Sequence, residues 1–509
     1  DLHYPLRRQR QMCIRDSNQM VITYPVLIIT LALADCIHLF AIYFQERNRG
    51  ETSKNSMIKS LELNLQPLFL TTVTTCIGFL SFNALDVEPL RDLGNGISIG
   101  VLFAFFYTIF FIAPLISFLN VKIPTSTQQQ VNLSRKIAIF SLSNKKAFLL
   151  IIPLSSLLMI LLIPMNKLDM NPTQMYSEKY TSYGPDVLWL DKKLGASFPI
   201  SFKATSDNGS VSNPEFLESL DNFSMWLEKQ NEVTHVTSLA RTMKSLNKSM
   251  HGDDLEMKVI PEDQELSSQY LFFYEMSLPM GLDLNTSISQ DRGSTRIAAT
   301  LREMTSKEYL VFDKKVSTYL KDNNLESTIS KPAGFRVIFV YLMEAVVNSL
   351  LIGVTIGMAL IITVIGFFFR SAYFGFLSSF PNILPIVSAF GIWAIIDGQI
   401  DFMVAVGMGS TLGIIVDFTV HLLSKYDLAR QELNKSPEDA VLYAFEAVGF
   451  ALIAMTVILA LGFSVLHLVS FLPMHNFAQF SILAFVFALI IDFFLFPNLL
   501  VRFDKRKFD

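Results

Sequence analysis

Apolar runs of membrane-spanning length recur along the chain at roughly 20–44, 64–85, 93–119, 147–165, 346–369, 374–396, 402–426, 446–469 and 477–501. About 20 predominantly apolar residues cross the hydrocarbon of a bilayer as a helix, which satisfies its own backbone hydrogen bonds there. The pattern predicts nine membrane helices. One long polar stretch, about 167–340, interrupts them. Within it Phe198–Ala204 reads as a strand, Asn213 and Pro214 open a helix running toward Glu228, and Val233–Leu239 reads as a return strand. The same plan follows with Thr295–Leu301 as strand, Ser306–Leu320 as helix and a short strand near Ser327–Ser330.

Two β-α-β units of this kind predict an α+β sandwich of the ferredoxin-like type. Composition agrees with a membrane class: 51% of residues are hydrophobic, 44 are Phe, only 17% are charged, and the mean hydropathy is +0.41. Loop charge then orients the chain. Segment 45–62 carries Arg47, Arg49, Lys54 and Lys59, and segment 120–146 carries Lys122, Arg135, Lys136, Lys145 and Lys146 with no acid. By the positive-inside rule both are cytoplasmic. Arg370, the run with Lys425, Arg430 and Lys435, and the tail with Arg502, Lys505, Arg506 and Lys507 fall on the same side. The opposite loops are acidic or uncharged, with Asp397 and Asp401 in one of them, so the polar segment 167–340 is expected outside the cytoplasm. It contains no cysteine, so disulfides do not hold it together.

Candidate chemistry lies inside the membrane. Asp35 and Asp417 each stand alone near the middle of an apolar run, and each is followed by a histidine, His38 and His421. An Asp at that depth costs roughly 2.5 to 3.5 kcal/mol on insertion scales, so it faces a protein interior and marks an ion or proton path. Spacings of three and four residues put each Asp and its His on one helix face. Low-dielectric surroundings favour the neutral carboxyl, which suits a group that takes up and releases a proton. The competing reading is that such an Asp merely bonds a neighbouring helix, and for a third lone carboxylate, Asp492, that reading is preferred. Gly407, Gly409 and Gly413 form a small-residue stripe suited to close helix packing, and Glu344 and Glu446 sit at span edges where water reaches them.

An internal repeat is superimposed on this pattern. With His38 aligned to His421, and one residue added in the following loop, Leu68, Thr72, Val73, Gly78 and Phe79 fall on Leu452, Thr456, Val457, Gly462 and Phe463. Pro89, Phe103, Ala104 and Phe110 then fall on Pro473, Phe487, Ala488 and Phe494. Both copies cross in the same direction, which makes them parallel repeats about an axis along the membrane normal. Thr72 and Thr456, on the helix next to each Asp helix, are expected as hydroxyl partners of the carboxylates. The two carboxylates are staggered by one position, since Asp417 aligns with Ala34 and Asp35 with Phe418; one residue is about 100° of helix rotation.

The duplicated Asp/His helix, the basic loop, the Thr/Gly helix and the large polar insertion together resemble the resistance-nodulation-division superfamily, in particular its mycobacterial membrane large protein branch of hydrophobe and lipid exporters. The resemblance covers about 18–505. It implies a twelve-helix core with two external domains, so the chain is expected to be an N-terminally truncated form that begins on the helix resembling the fourth. Residues 1–17 are expected to be non-native, because Met12-Cys13-Ile14-Arg15-Asp16-Ser17 resembles a transposase sequencing adapter read as coding sequence; a genuine basic N-terminal arm is the alternative. The expected parts are then 18–119, three helices of the first repeat; 120–146, a cytoplasmic linker; 147–166, the first helix of the second repeat; 167–340, the external domain; and 341–505, the remaining five helices.

The resemblance implies proton-driven export of lipids or other hydrophobic compounds from a bacterial inner membrane, with Asp35, Asp417, His38 and His421 as relay and Thr72, Thr456 and Asp492 as partners. The proton gradient stands in place of any cofactor: no phosphate-binding glycine loop, zinc-type cluster or nucleophile elbow is present, and enzyme chemistry is not expected. A net charge of −4 gives no reason to expect nucleic acid. Membrane lipids, a homo-oligomer or a periplasmic adaptor are the partners that the resemblance implies. The same core also serves Patched-like sterol handling, with its sterol-sensing region, and SecDF-like assistance of protein export. A third class is a purely structural scaffold in a membrane assembly.

Overall fold

The computed structural model of the chain describes residues 23–84, 87–119, 121, 127–169, 175–176, 181–194, 198–279 and 283–504. The leader 1–17 and Lys122, Lys505, Arg506 and Lys507 lie outside the described residues. Two units are distinguished: a membrane unit within Asp1–Lys167 and Glu344–Asp509, and an α+β unit within Leu168–Met343. In chain order the membrane unit begins with α1 (Thr23–Asn48), α2 (Ser53–Ala84), α3 (Glu88–Phe118), α4 (Thr127–Ser143) and α5 (Lys145–Met165). The α+β unit contains α6 (Tyr183–Leu194), β1 (Phe198–Thr205), α7 (Pro214–Glu228), β2 (Val233–Thr237), α8 (Leu239–Met250), α9 (Gln264–Ser277), β3 (Ser294–Leu301) and α10 (Ser306–Asp322). Then follow α11 (Phe335–Phe368), α12 (Ala372–Ile396), α13 (Phe402–Gln431), α14 (Pro437–Leu468) and α15 (Leu472–Phe503).

Among the described residues nine helices are long and apolar enough to cross a membrane, all of these except α4 and the helices α6–α10. Several start before the apolar run does. Helix α2 begins at Ser53, where the Thr52 hydroxyl accepts from Asn55 N at 3.3 Å. Hydropathy marks the hydrocarbon slab, whereas a helix runs on until a cap stops it. The expected linker 120–146 likewise holds a regular helix, α4.

The repeat is expressed as reciprocal packing. Helix α13 lies on α2, and α1 lies on α14, so each Asp helix leans on the Thr/Gly helix of the other half. The contacts match residue by residue. A Cβ on Gly78 would lie 2.7 Å from Gly413 Cα, and one on Gly462 would lie 2.4 Å from Thr30 Oγ1, at the equivalent crossing of the other half. Cys36 Sγ lies 3.8 Å from Thr108 Oγ1, and their counterparts Thr419 and Asp492 meet at 3.1 Å. The surroundings of the halves differ. Helix α12 packs against α13 and α15, and α5 brings Phe148 onto Phe494 with ring centroids 4.8 Å apart. Phe110, the counterpart of Phe494, is 73% exposed on α3.

In the α+β unit β3 is central, antiparallel to β1 on one side and β2 on the other. Bridges from Ile329 to Ala204 and from Ala333 to Ser201 extend the sheet beyond β1. Each β-α-β unit is thus split by a strand of the other, the ferredoxin-like order. The return strand stops at Thr237 because Leu239 opens α8, and the last strand is reduced to the two bridges. Phe202, Leu220, Phe223, Ile297, Phe312 and Val316 fill the core, and Trp226 of α7 stacks on Tyr319 of α10 at 4.3 Å. Helix α10 starts with a capping box: the Thr305 hydroxyl accepts from Glu308 N, and Glu308 accepts in return from Thr305 N at 2.7 Å. Thr305→Ala is expected to cost about 1 kcal/mol locally. Hydrogen exchange should then be faster in the first turn of α10 and unchanged in α7.

Candidate functional site

Helix α13 is buried nearly throughout, and every fourth residue along one of its faces is ionisable: Asp417, His421 and Lys425. Helix α1 contributes Asp35 and His38, both buried. The two histidines, equivalent in the repeat, meet face to face, with ring centroids 3.6 Å apart and planes within 5°. His421 Nε2 lies 3.2 Å from Asp417 Oδ1, but no ring nitrogen of either histidine has a properly directed hydrogen-bond partner among the described residues. Asp35 and Asp417 line one small cavity together with Leu31, Thr71, Thr72, Thr75 and Ile414. The one-residue stagger does not keep them from lining the same cavity.

The threonines divide. Thr72 lines the cavity, but its hydroxyl donates to Leu68 O at 2.7 Å within its own helix. Thr456 does the same to Leu452 O at 2.8 Å and is not part of the cavity wall. Thr71 also lines the cavity, and its hydroxyl donates to Leu68 O at 3.0 Å within its own helix. Thr75 donates to Gly413 O at 3.0 Å and ties α2 to α13 one turn away. Asp492 lies elsewhere. It accepts from Thr419, on a different face of α13 from Asp417, and Thr419 also reaches Asn382 Oδ1 of α12 at 3.3 Å. This is a helix-to-helix link.

Lys425 is the residue that the sequence reading left among the loop charges. It is fully buried, and its Nζ donates to Leu63 O at 2.5 Å. That carbonyl needs an outside donor because the residue four further along is Pro67, which has no N–H. The i, i+4 series from Asp417 was the available signal. A buried carbonyl left unsatisfied costs about 1–3 kcal/mol. Lys425→Met should therefore lower the unfolding temperature in detergent. In a Pro67→Ala background, where an N–H is restored, the same change should cost clearly less. Equal losses in both backgrounds would dissociate Lys425 from the proline.

His38, Asp417 and His421 offer donor atoms that lie within 4.8 Å of one another, a spacing open to a metal ion. The ring geometry opposes this. An imidazole lone pair lies in the ring plane, and parallel rings one stacking distance apart share no point in both planes. The Lys425 ammonium, one turn further along α13, would also repel a cation.

Two structures of the translocon-associated membrane protein SecDF superpose on the chain: one from Thermus thermophilus with a TM-score of 0.55 at 12% identity, and a super-membrane-facing form with 0.51 at 11%. Each covers 95% of this chain, which spans 55% and 54% of theirs, and at such identities the likeness is one of fold. In sequence, a membrane protein of Methanocaldococcus jannaschii is 26% identical over 156 residues, 30% of this chain and 39% of that protein. The hopanoid transporter HpnN of Rhodopseudomonas palustris is 28% identical over 109 residues, 21% of this chain and 13% of its own length. The chain therefore spans well under half the length of either relative. The MMPL family profile matches residues 205–507, more than half of the chain. This multi-pass membrane protein belongs to the MMPL family, within the resistance-nodulation-division superfamily.

Proposed function

We propose that the chain is the core of a proton-coupled secondary exporter that moves lipids or other hydrophobic compounds out of a bacterial inner membrane. The observation that carries this reading is the cavity in which Asp35 of one half and Asp417 of the other face each other, buried between reciprocally packed helices. Two mutually repelling carboxylates away from water favour states in which at least one is neutral. Proton arrival at one relieves the repulsion and lets α1 and α13 move against each other. Proton departure restores it. His38 and His421 continue the path toward the cytoplasmic ends of the helices, with ring nitrogens that have no fixed partner and so can accept a proton transiently.

A hydrophobic cargo is supported by family membership and by the similarity to a hopanoid transporter. The test is proton uptake into liposomes that carry an internal pH dye, under an imposed pH gradient, with and without added hopanoid or phospholipid. Flux that depends on lipid and persists when sodium is replaced by choline supports the reading. Flux that requires sodium would overturn proton coupling, and indifference to every lipid tried would overturn the cargo class.

A further inference from the structure

A second cavity, of about 230 Å³, opens between α1, α4 and α14, away from the paired carboxylates. Phe40, Phe44, Val131 and Phe450 supply apolar walls, and Gln45, Gln130 and Glu446 supply the polar part. These are ordered by depth. Helix α1 runs toward the basic loop at Arg47 and Arg49, so Gln45 is nearer the cytoplasm than Phe40. Helix α14 runs the other way, so Glu446 is nearer the cytoplasm than Phe450. The slot is apolar toward the hydrocarbon and polar toward the cytoplasmic headgroups.

Its wall departs from regular helix. Phe445–Gly449 forms a π-helical turn, and Gln45 Nε2 donates to Glu446 O at 3.1 Å and Ala447 O at 3.2 Å. Turns of this kind concentrate at functional sites. The matching stretch of α2 is ordinary α-helix, and the counterparts of Phe40 and Phe44 on α13 are Leu423 and Asp427. The slot is therefore not duplicated by the repeat. At its rim Arg135 Nη1 lies 3.2 Å from Glu446 Oε1, with both side chains partly exposed.

We propose that this cavity binds a zwitterionic aminophospholipid from the cytoplasmic leaflet of the surrounding bilayer. One acyl chain lies along Phe40, Phe44 and Phe450. The phosphate meets Arg135, and the primary ammonium meets Glu446. Both signs of charge standing side by side at the mouth of an apolar slot match such a headgroup, whereas a purely anionic one would place its negative charge beside Glu446. The occupant is a bilayer lipid, and its binding is independent of the transported cargo.

The test uses the protein in nanodiscs of equal phosphatidylethanolamine and phosphatidylglycerol, with a trace of either lipid bearing a photoreactive group on its acyl chain. After irradiation, labelled peptides are mapped by mass spectrometry. The ethanolamine probe should label peptides containing Phe40–Gln45 and Phe450–Ala454 in preference to the glycerol probe. Ala41→Trp and Ala454→Trp, each filling the slot, should reduce that labelling several-fold, while Leu161→Trp on the exposed face of α5 should not. Glu446→Gln, which leaves the slot open, should abolish the preference between probes. Equal labelling by the two probes in the unaltered protein, or labelling that survives both Trp substitutions, would overturn the proposal.

Discussion

Asp417→Asn is expected to stop coupled proton flux, by roughly a hundredfold or more, on the scale that positioned acid–base groups contribute. Asn keeps the size and polarity of the side chain but can neither lose nor gain a proton near neutral pH. It also removes a buried charge, so thermal stability in detergent should hold or rise. That combination, flux lost and fold retained, separates a relay from helix glue, because loss of a structural hydrogen bond would lower stability first. Asp35→Asn should act in the same direction, since the two carboxylates share one cavity. Asp417 is expected to be the more sensitive, because it has a histidine ring nitrogen within 3.2 Å. Flux unchanged in both variants would remove the relay altogether. The structural-scaffold class would then be the better account of these aspartates.

The second large effect is expected from Gly78→Val. A Cβ there would stand 2.7 Å from Gly413 Cα and 2.9 Å from Gly413 N, so the obstacle is backbone and no side chain can rotate out of the way. The two halves would have to separate along α2 and α13, the crossing that also carries the bond from Thr75 to Gly413 O. Overpacking of this kind costs about 1–3 kcal/mol in soluble cores. Here it also widens the helix pair that flanks the carboxylate cavity, so both unfolding temperature and proton flux should fall. Gly409→Ala is the control. Its Cβ would meet Phe82 Cε1 at 2.5 Å, the edge of a ring that can shift, and the loss should be smaller. Equal losses in the two variants would mean that the close crossing is not what holds the halves together.

Much of this architecture was written in local pattern. Spans follow from twenty-residue apolar runs because lipid leaves a lone segment's backbone no other solution. The strands and helices of the α+β unit follow from local signals such as the helix start at Asn213 and Pro214. The duplication and the pairing of each Asp with a His on one helix face are likewise periodic facts. Boundaries were less legible. Hydropathy reports the depth of the hydrocarbon, and α2 and α11 run well past it.

What the fold alone decided is who meets whom across the repeat axis. Aligning His38 with His421 makes them equivalent, but only the tertiary fold stacks their rings. Thr71 joins Thr72 in lining the carboxylate cavity while Thr456 does not, a division that the packing of α2 on α13 decides. Lys425 read as a loop cation, since its role rests on a carbonyl left open by Pro67 in a helix more than 350 residues away. Asp492 and Thr419 found each other for the same kind of reason. The amino-acid order determined each helix and the face it presents, since those depend on neighbours within a turn or two. The pairing of those faces is a long-range packing outcome, set where small residues such as Gly78 and Gly413 let two backbones touch.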